Sequence, residues 1–250
     1  MEFSEFAGHA AAIEAATADS EIVDLVADLF AAADDDLPIV ARYVQGRVFP
    51  GHDETKLDIG PNNCFAAIAR AAGQNVDADD VEARVADLGD VGAVAATYDF
   101  GSQQGLSAFG GGSETDESRT VADVHDELTA LAATSGAGST DEKITILFGL
   151  FNRCDPDEAR YLARLVLSEM RIGVGAGTVR DAIVEAFDAN AAAVERALQV
   201  SNDYGLVAET ARDDPDGLDD VTLEIGRPVQ AMLAQAGTAN EALEAWGETA

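Results

Sequence analysis

Two glycine-containing turns carry the residues of this sequence that are best suited to binding an anion. The first turn spans residues 136–139 and the second spans residues 171–178, and a helical pattern follows each of them. Glycines before a helix expose backbone N–H groups, and the helix N-terminus adds a partial positive charge, so both turns could hold a phosphate. The predicted donors are Gly136, Gly138, Ser139, Gly173, Gly175, Gly177 and Thr178.

Basic side chains near these turns would supply the charge that a phosphate needs. Arg160, Arg164 and Arg171 are spaced by four and seven residues, so they return to nearly the same side of a helix, with Arg171 at its end. Residues 136–180 hold six basic and six acidic residues, whereas the whole chain has a formal net charge of −32. A polyanion could approach this neutral window. The predicted phosphate-contacting cations are Lys143, Arg160, Arg164 and Arg171.

A purely structural interpretation of the same residues stays open at this point. The glycines would then only end and begin helices, and the arginines would pair with Glu158 and Glu169. Because glycine motifs are weak indicators on their own, this interpretation is favoured until a second observation is added.

Local signals predict the helices that position these groups. Ser139 to Glu142 has the pattern of a capping box, in which the serine hydroxyl accepts an early N–H group and the glutamate reaches back to the cap. Asp155 and Pro156 begin the next helix, with aspartate at the cap and proline in the first turn. The apolar residues predicted to face the core are Ile144, Leu147, Phe148, Phe151, Ala159, Leu162, Ala163, Val166, Val179, Ala182, Ile183 and Ala186.

Residues 57–98 and 172–211 resemble each other and predict an internal duplication. Each copy has a turn, two helices and a D-x-G-x-V-A segment. Such a repeat predicts a pseudo-twofold axis, which would match the two strands of a duplex. The helix starts differ, because residues 61–63 are Pro-Asn-Asn whereas residues 176–178 are Ala-Gly-Thr. The first copy is therefore not assigned a phosphate contact.

Composition limits the kind of surface that this chain can have. Of its 250 residues, 47 are acidic and 15 are basic, and only two of the basic residues are lysines. Regular apolar periodicity argues against disorder, so we interpret the acidity as suited to a very salty cytoplasm, as in halophilic archaea. A surface that binds a polyanion such as a nucleic acid is normally basic, and salt weakens phosphate contacts. Backbone N–H groups and shape must then carry more of the affinity.

Several common kinds of site are not predicted. Cys64 and Cys154 are far apart in the sequence, which indicates buried reduced thiols rather than a disulfide or metal ligands. The three histidines lie in separate segments without ligand spacing. No apolar run is long enough for a membrane span, and the acidic N-terminus lacks the basic start of a signal peptide. We therefore expect a cytoplasmic protein with no membrane partner.

Residues 142–183 resemble the N-terminal DNA-binding domain of archaeal and eukaryotic ATP-dependent DNA ligases. The family pattern has a Gly/Ser-rich turn, a K-I-x-x-L-x-x-L-F helix, an E-A-[RK]-[YF]-[IL]-x-R helix and an R-[IL]-G-[LV] segment. Residues 89–95 and 227–234 also resemble family segments, the latter at the beginning of the adenylation domain. The matching positions are Lys143, Leu147, Leu150, Phe151, Glu158, Ala159, Arg160, Tyr161, Arg164, Arg171, Ile172 and Gly173.

The resemblance implies a fold and its boundaries. It implies an all-α, pseudo-twofold DNA-binding domain over residues 1–220, with residues 221–250 as a linker and the start of the adenylation domain. Short helices are expected along residues 1–50, an acidic loop at 103–118 and a further helix at 239–246.

The resemblance also implies a function. The domain would bind duplex DNA around a nick without sequence preference, in a ligase that seals nicks during replication, repair and recombination. The parent ligase would use ATP and Mg²⁺, and its partners would be nicked double-stranded DNA, the remaining ligase domains and a sliding clamp. The adenylated Lys-x-Asp-Gly motif is expected shortly after residue 234, but no lysine follows Lys143. The chain is therefore interpreted as a truncated ligase, an isolated domain or a split gene product that does not react with ATP alone.

Two other classes of function are weighed against the ligase. A helical protein-interaction scaffold without DNA binding would also tolerate alanine-rich helices and an acidic surface. An independent enzyme is disfavoured, because the sequence offers no nucleophile–base arrangement. Binding of duplex DNA separates the ligase hypothesis from the scaffold.

Overall fold

The computed structural model describes residues 1–100 and 119–229, and within these ranges the chain folds into helices without a named β-strand. The all-α fold predicted from the sequence is confirmed. The predicted loop at 103–118 and the predicted helix at 239–246 lie outside the described residues. In chain order the helices are α1 (Phe3–Ala15), α2 (Asp19–Ala32), α3 (Leu37–Tyr43), α4 (Pro61–Ala72), α5 (Ala78–Leu88), α6 (Val91–Ala95), α7 (Val121–Ala133), α8 (Ser139–Phe151), α9 (Pro156–Val166), α10 (Ala176–Phe187), α11 (Ala191–Ser201) and α12 (Tyr204–Asp213), with 3₁₀ turns at Asp34–Asp36 and Pro215–Asp220.

Cap residues begin α8 and α9 in different ways. Asp155 accepts hydrogen bonds from the N–H groups of Asp157 and Glu158, both at 2.8 Å, so the predicted start of α9 is confirmed. The predicted cap of α8 is wrong by one residue, because Gly138 is the cap and Ser139 is already helical. Gly138 has φ +86°, a left-handed conformation that turns the chain into the helix, and the Ser139 hydroxyl forms no cap.

Most of the residues predicted to face the core are buried, and their pattern recurs along the chain. Ile144, Phe148 and Ala186 are only partly buried. The buried positions of the first six helices are spaced like those of the last six. Matching buried pairs are Phe3 and Val121, Phe6 and Val124, Ala10 and Leu128, Ile13 and Leu131, Val26 and Leu147, Leu29 and Leu150, Phe30 and Phe151, Leu37 and Ala159, Val40 and Leu162, Ile68 and Ile183, and Val81 and Val194.

The N-terminal half (residues 1–98) and the C-terminal half (residues 119–213) are interleaved. Helix α2 packs on α10 of the other half, and α8 packs on α4. The last helix of each half also packs on the other half, since α6 packs on α9 and α12 packs on α3. We call these two contacts the crossovers. Each half therefore covers apolar faces of the other, and the two halves share one core.

Backbone pairing before α1 and α7 joins equivalent residues of the two halves. The Phe3 N–H donates to the Arg119 carbonyl at 2.7 Å, and the Val121 N–H donates to the Met1 carbonyl at 3.0 Å. The two segments form an antiparallel bridge. Such a reciprocal exchange is what a local twofold axis requires.

An aspartate–arginine pair closes each crossover. Asp203 caps α12 and accepts hydrogen bonds from Arg42 of α3 at 2.9 and 3.0 Å. Asp90 caps α6 and is paired in the same way with Arg164 of α9. These contacts explain the aspartate of the D-x-G-x-V-A segments as a cap and an ion-pair partner.

The glycine of each D-x-G-x-V-A segment permits close approach of the crossing helix. A Cβ on Gly92 would clash with the carbonyl of Arg160, and a Cβ on Gly205 would clash with the carbonyl of Pro38. Packing alone therefore accounts for these two glycines.

Candidate nucleic-acid interface

The second glycine turn forms an exposed corner, which we call the second corner (residues 171–178). Gly175 caps α10 in an extended conformation. A Cβ on Gly175 or Gly177 would meet no atom within 4 Å, so the backbone is open on that side. Because the first-turn N–H groups of a helix lack intrahelical acceptors, this corner presents donors suited to an anion.

Gly173 and Thr178 shape the second corner. Gly173 has φ +76°, where a side chain would be strained, and Ile22 of α2 lies beneath it. The Thr178 hydroxyl accepts a hydrogen bond from the Gly175 N–H at 3.4 Å. One of the predicted backbone donors is therefore used within the turn.

Both arginines beside the second corner already have acidic partners. Arg171 donates to the Glu169 carboxylate at 2.7 Å and to the Gly89 carbonyl at 2.6 Å. Arg180 pairs with the neighbouring Asp181 at 2.7 Å. The two arginine side chains are 49% and 36% exposed, so these ion pairs are solvated and weak. A phosphate can compete with such carboxylates.

The related turn of the N-terminal half forms a first corner (residues 56–63). Gly60 caps α4 in an extended conformation, and a Cβ on it would meet no atom within 4 Å. Asp58 has φ +50° at the place that Gly173 occupies in the second corner, so the two turns bend alike. Pro61 lacks an N–H group, and the first corner therefore offers one backbone donor fewer.

Two cations flank the first corner without acidic partners. Arg47 and Lys56 are exposed, and neither forms a salt bridge within residues 1–100 and 119–229. Both line an open groove of about 510 Å³ that runs along residues 47–59 and the end of α9. These are the side chains that a phosphate would meet without first displacing a carboxylate.

The groove also carries carboxylates, which limit how strongly it attracts an anion. Hydrogen bonds from the hydroxyl and N–H of Thr55 hold the pKa of Asp53 below its usual range, so Asp53 stays ionised. Glu54 and Asp58 are exposed. This surface therefore offers an anion contact with individual cations and not a broad positive electrostatic field.

Lys143 is buried, and its assignment as a phosphate-binding cation is corrected. Its side chain is only 6% exposed, and its ammonium donates to the Leu57 carbonyl at 2.7 Å. The buried ammonium therefore braces the first corner from below. Beneath Gly173 of the second corner, the corresponding place is taken by Ile22 of α2, which comes from the N-terminal half.

Arg164 is also internal, and its assignment to phosphate is corrected for the same reason. It is 2% exposed, and its guanidinium donates to Glu14 at 2.7 and 3.0 Å and to Asp90 at 3.1 and 3.2 Å. The Arg164 hydrogen bonds hold the pKa of Glu14 below its usual range. Burial alone would raise the pKa of Asp90, but the hydrogen bonds and charge of Arg164, together with hydrogen bonds from the N–H groups of Ala93 and Gly92, outweigh it and the pKa is lowered.

The remaining predicted residues are not gathered around the second corner. Gly136 and Gly138 are exposed before α8, and one turn later Lys143 ties α8 to the first corner. Arg160 is half-buried and lies 3.9 Å from Asp157. The sequence therefore located one corner correctly as an exposed helix start, but it did not show that the helix after the first turn packs against the N-terminal half.

Sequence reasoning missed the functional potential of Arg47 and Lys56. The signal was present, because Lys56 is one of only two lysines and directly precedes the Leu57–Gly60 turn that matches residues 172–175. Asn62, exposed at the start of α4, was set aside because its neighbours differ from those in the other copy.

The described part of the chain shows neither a cluster of metal-binding side chains nor a membrane-spanning helix. Within it, no group of three or more His, Cys, Asp or Glu side chains has an arrangement that could hold a metal ion. None of its helices combines the length and apolar character needed to cross a bilayer.

The fold and this surface define an interleaved all-helical module that exposes two open helix starts. The chain belongs to the DNA ligase N-terminal family, since the family model described as DNA ligase N terminus matches residues 2–184. The resemblance inferred from the motifs is thereby confirmed.

Named relatives extend over the whole chain. It is 66% identical over 251 residues to a DNA ligase of Halobacterium salinarum and 64% identical to a DNA ligase of Haloarcula marismortui, both covering 100% of this chain and 45% of the relative. A DNA ligase of Methanoculleus marisnigri is 40% identical and is covered to 44%. The chain thus spans about half the length of these relatives, and its similarity to ligases of halophilic archaea agrees with the acidic composition.

Proposed function

We propose that this chain is the duplex-binding portion of a DNA ligase that seals nicks during replication, repair and recombination. It holds the sugar–phosphate backbones at the first and second corners and does not read bases. Membership of the ligase N-terminal family, together with two open helix starts at matching places in the two halves, carries this proposal.

The chemistry of the corners favours phosphate over base edges. Backbone N–H groups and a few guanidinium or ammonium groups position a nucleic acid without carrying sequence information. The two strands of a duplex are related by local twofold axes, so a module with two related corners can place one on each strand. We accordingly assign the role to Lys56, Gly60 and Asn62 in the first corner, to Arg47 beside it, and to Arg171, Gly173, Gly175, Gly177 and Thr178 in the second.

An acidic exterior is compatible with this role at high salt. In molar salt the Debye length is about 3 Å, so the repulsion between distant carboxylates and DNA is screened. Counterion release contributes less under these conditions, and fixed N–H donors keep their geometry. Affinity then depends on the corners rather than on net charge.

The remaining length of the ligase would complete the reaction. We propose that residues 1–220 form the DNA-binding domain and that residues 221–250 lead into the adenylation domain. No lysine after Lys143 is available in this sequence to carry AMP, so those further domains would hold the ATP that supplies the adenylate and the Mg²⁺ that neutralises phosphate charge. We also propose a sliding clamp as a partner of the ligase. The ligase itself would be located in the cytoplasm.

New carboxylates at the two caps test the corners. Gly60→Asp and Gly175→Asp each place an aspartate at an N-cap with open space around the Cβ, so the melting temperature should be kept or raised. The same carboxylates would face the bound phosphates. In a titration with nicked duplex in molar KCl, each variant should bind about tenfold more weakly, equivalent to about 1.4 kcal/mol.

Asn190→Asp is the matched control. It adds the same charge at the cap of α11, beyond the far end of α10 and about 18 Å from the second corner by helical rise. Its affinity should equal that of the parent chain. A parent chain that ignores nicked duplex, or two cap variants that bind like the control, would leave the protein-interaction scaffold as the better hypothesis.

A further inference from the structure

Arg196 grips the chain where it leaves the helical body. The residue lies on α11, and its guanidinium donates to the carbonyls of Leu218 at 3.0 Å, Asp219 at 2.5 Å and Val221 at 3.2 Å. One side chain therefore holds three backbone carbonyls within four residues.

The end of the 3₁₀ turn at Pro215–Asp220 explains why a guanidinium suits this place. The last carbonyls of a helical turn lack partners within the turn. Arginine carries five N–H donors in a planar fork, so it can bind several carbonyls at once, whereas lysine presents a single point charge. Leu218 is fully buried and plugs the same turn into the core. Leu218 and Arg196 thus fix the turn to the helical body together. We call the three hydrogen bonds of Arg196 the clamp.

Residues 222–229, the described part of the chain after Val221, have no comparable hold. Residues 222–229 are exposed apart from Arg227, which pairs with Glu224 inside the same segment. Leu223 is 65% exposed and Ile225 is fully exposed. Arg196 is therefore the last side chain of the helical body that fixes the backbone of the described segment.

The N-terminal half lacks this clamp. Counted from the caps Asp77 and Asn190, the residue in α5 that corresponds to Arg196 is Ala83. The helix pair itself therefore does not require an arginine at this place. The guanidinium occurs in the half from which residues 222–229 depart.

We propose that Arg196 is a positioning residue that fixes the place and the direction in which residues 222–229 leave the helical body. In a ligase this would set where the following part of the polypeptide starts relative to the bound duplex. That consequence rests on the proposed function, whereas the clamp itself does not.

Spin labels measure the exit direction on the whole chain. Leu223→Cys and Glu209→Cys place labels on the departing segment and on α12, both at exposed positions. Burial raises the pKa of Cys64 to about 12 and also raises the pKa of Cys154, so the native thiols do not compete for the reagent. Pulsed electron resonance in molar KCl should give one narrow distance for the parent chain.

The clamp variants should lose that narrow distance. Arg196→Ala removes the guanidinium, Arg196→Gln keeps part of the stem, and Arg196→Lys keeps the charge without the fork. Arg84→Ala is the matched control, because Arg84 on α5 binds the Thr97 side chain and holds no departing segment. It should leave the distance unchanged, and all variants should keep the helical circular dichroism of the parent.

The proposal would be overturned if Arg196→Ala and Arg196→Gln kept the narrow distance distribution. It would also be overturned if Arg196→Lys kept it. Nicked-duplex binding should be the same in Arg196→Ala and the parent, because Arg196 lies outside both corners. Failure of the parent to bind DNA would therefore refute the proposed function without affecting the distance result.

Discussion

The two halves of this molecule agree in their interior and differ at their corners. Buried positions recur in the same order, and each half closes on the other through an aspartate–arginine pair. At the surface, the first corner has unpaired cations and Pro61, whereas the second has paired arginines and open glycines. Shared packing constrains the interior residues of both halves, while the exposed corners can diverge without loss of the fold.

The braces beneath the corners differ as well. Lys143 holds the Leu57 carbonyl of the first corner, but the second corner rests on the apolar side chain of Ile22. Arg164 binds two carboxylates, whereas Arg42 binds one. The halves are therefore equivalent as scaffolds and unequal as supports for a ligand.

The largest expected effect tests the two crossover pairs. Arg164→Ala leaves Glu14 and Asp90 without their common partner, and should lower the free energy of unfolding by about 3 kcal/mol. Arg42→Ala leaves only Asp203 without its partner, so it should lower the free energy of unfolding by less. Urea unfolding in molar KCl gives both values, with Arg180→Ala, at a partly exposed position, as control. Equal losses at the two arginines would show that the crossovers are energetically equivalent.

The brace under the first corner should give the next largest effect. Lys143→Met keeps the length of the side chain but leaves the buried Leu57 carbonyl without a donor, which should cost about 1–3 kcal/mol. Amide exchange should quicken in residues 57–60 and stay unchanged in residues 172–175. Lys56→Met, at an exposed position, should alter neither measurement. Faster exchange in both corners would contradict separate bracing.

The unpaired and paired cations should differ in their contribution to DNA binding. Neutralising Arg47 and Lys56 with glutamine should reduce the slope of log affinity against log salt by nearly 2, about 0.9 for each lost phosphate contact. The same change at Arg171 and Arg180 should reduce it less, because these arginines already pair with carboxylates. Titrations with nicked duplex over a range of KCl measure both slopes. Identical slopes would remove the distinction between the corners.

The smallest expected effect is a decrease in stability at low pH, caused by His125 of the C-terminal half. Burial lowers the pKa of His125, which lies 3.3 Å from the Tyr43 hydroxyl and beside the Phe49 ring. The unfolded chain then binds more protons than the folded chain as pH falls below about 6.5, so stability should decrease there. His125→Asn should flatten this part of the profile in thermal melts from pH 7.5 to 5. An unchanged profile would exclude His125 as the cause.

The sequence predicted those parts of the fold that follow from local pattern. Apolar spacing identified α8, α9 and α10, and the Asp155 cap signal was confirmed. The capping box at Ser139 was wrong, since the left-handed Gly138 had already started the helix. Local rules describe where a helix can begin, but competition between neighbouring caps depends on backbone conformation.

Burial of charge was the part that the sequence could not predict. Arg160 and Arg164 are one turn apart and look alike in the pattern, yet only Arg164 meets Glu14 and Asp90 from distant segments. Lys143 likewise finds the carbonyl of Leu57, which is 86 residues away. Such partners come from the crossover of the two halves, which no local spacing encodes.

The interleaving has a consequence for biosynthesis. The apolar faces of α2 and α4 pack against α10 and α8, and these two helices are synthesised only after about the first hundred residues have left the ribosome. At about 5–20 residues per second, the nascent N-terminal half spends several seconds with apolar faces exposed to the cytosol. We therefore expect co-translational folding to be delayed until the C-terminal helices emerge, and chaperones to find their targets on these uncovered faces.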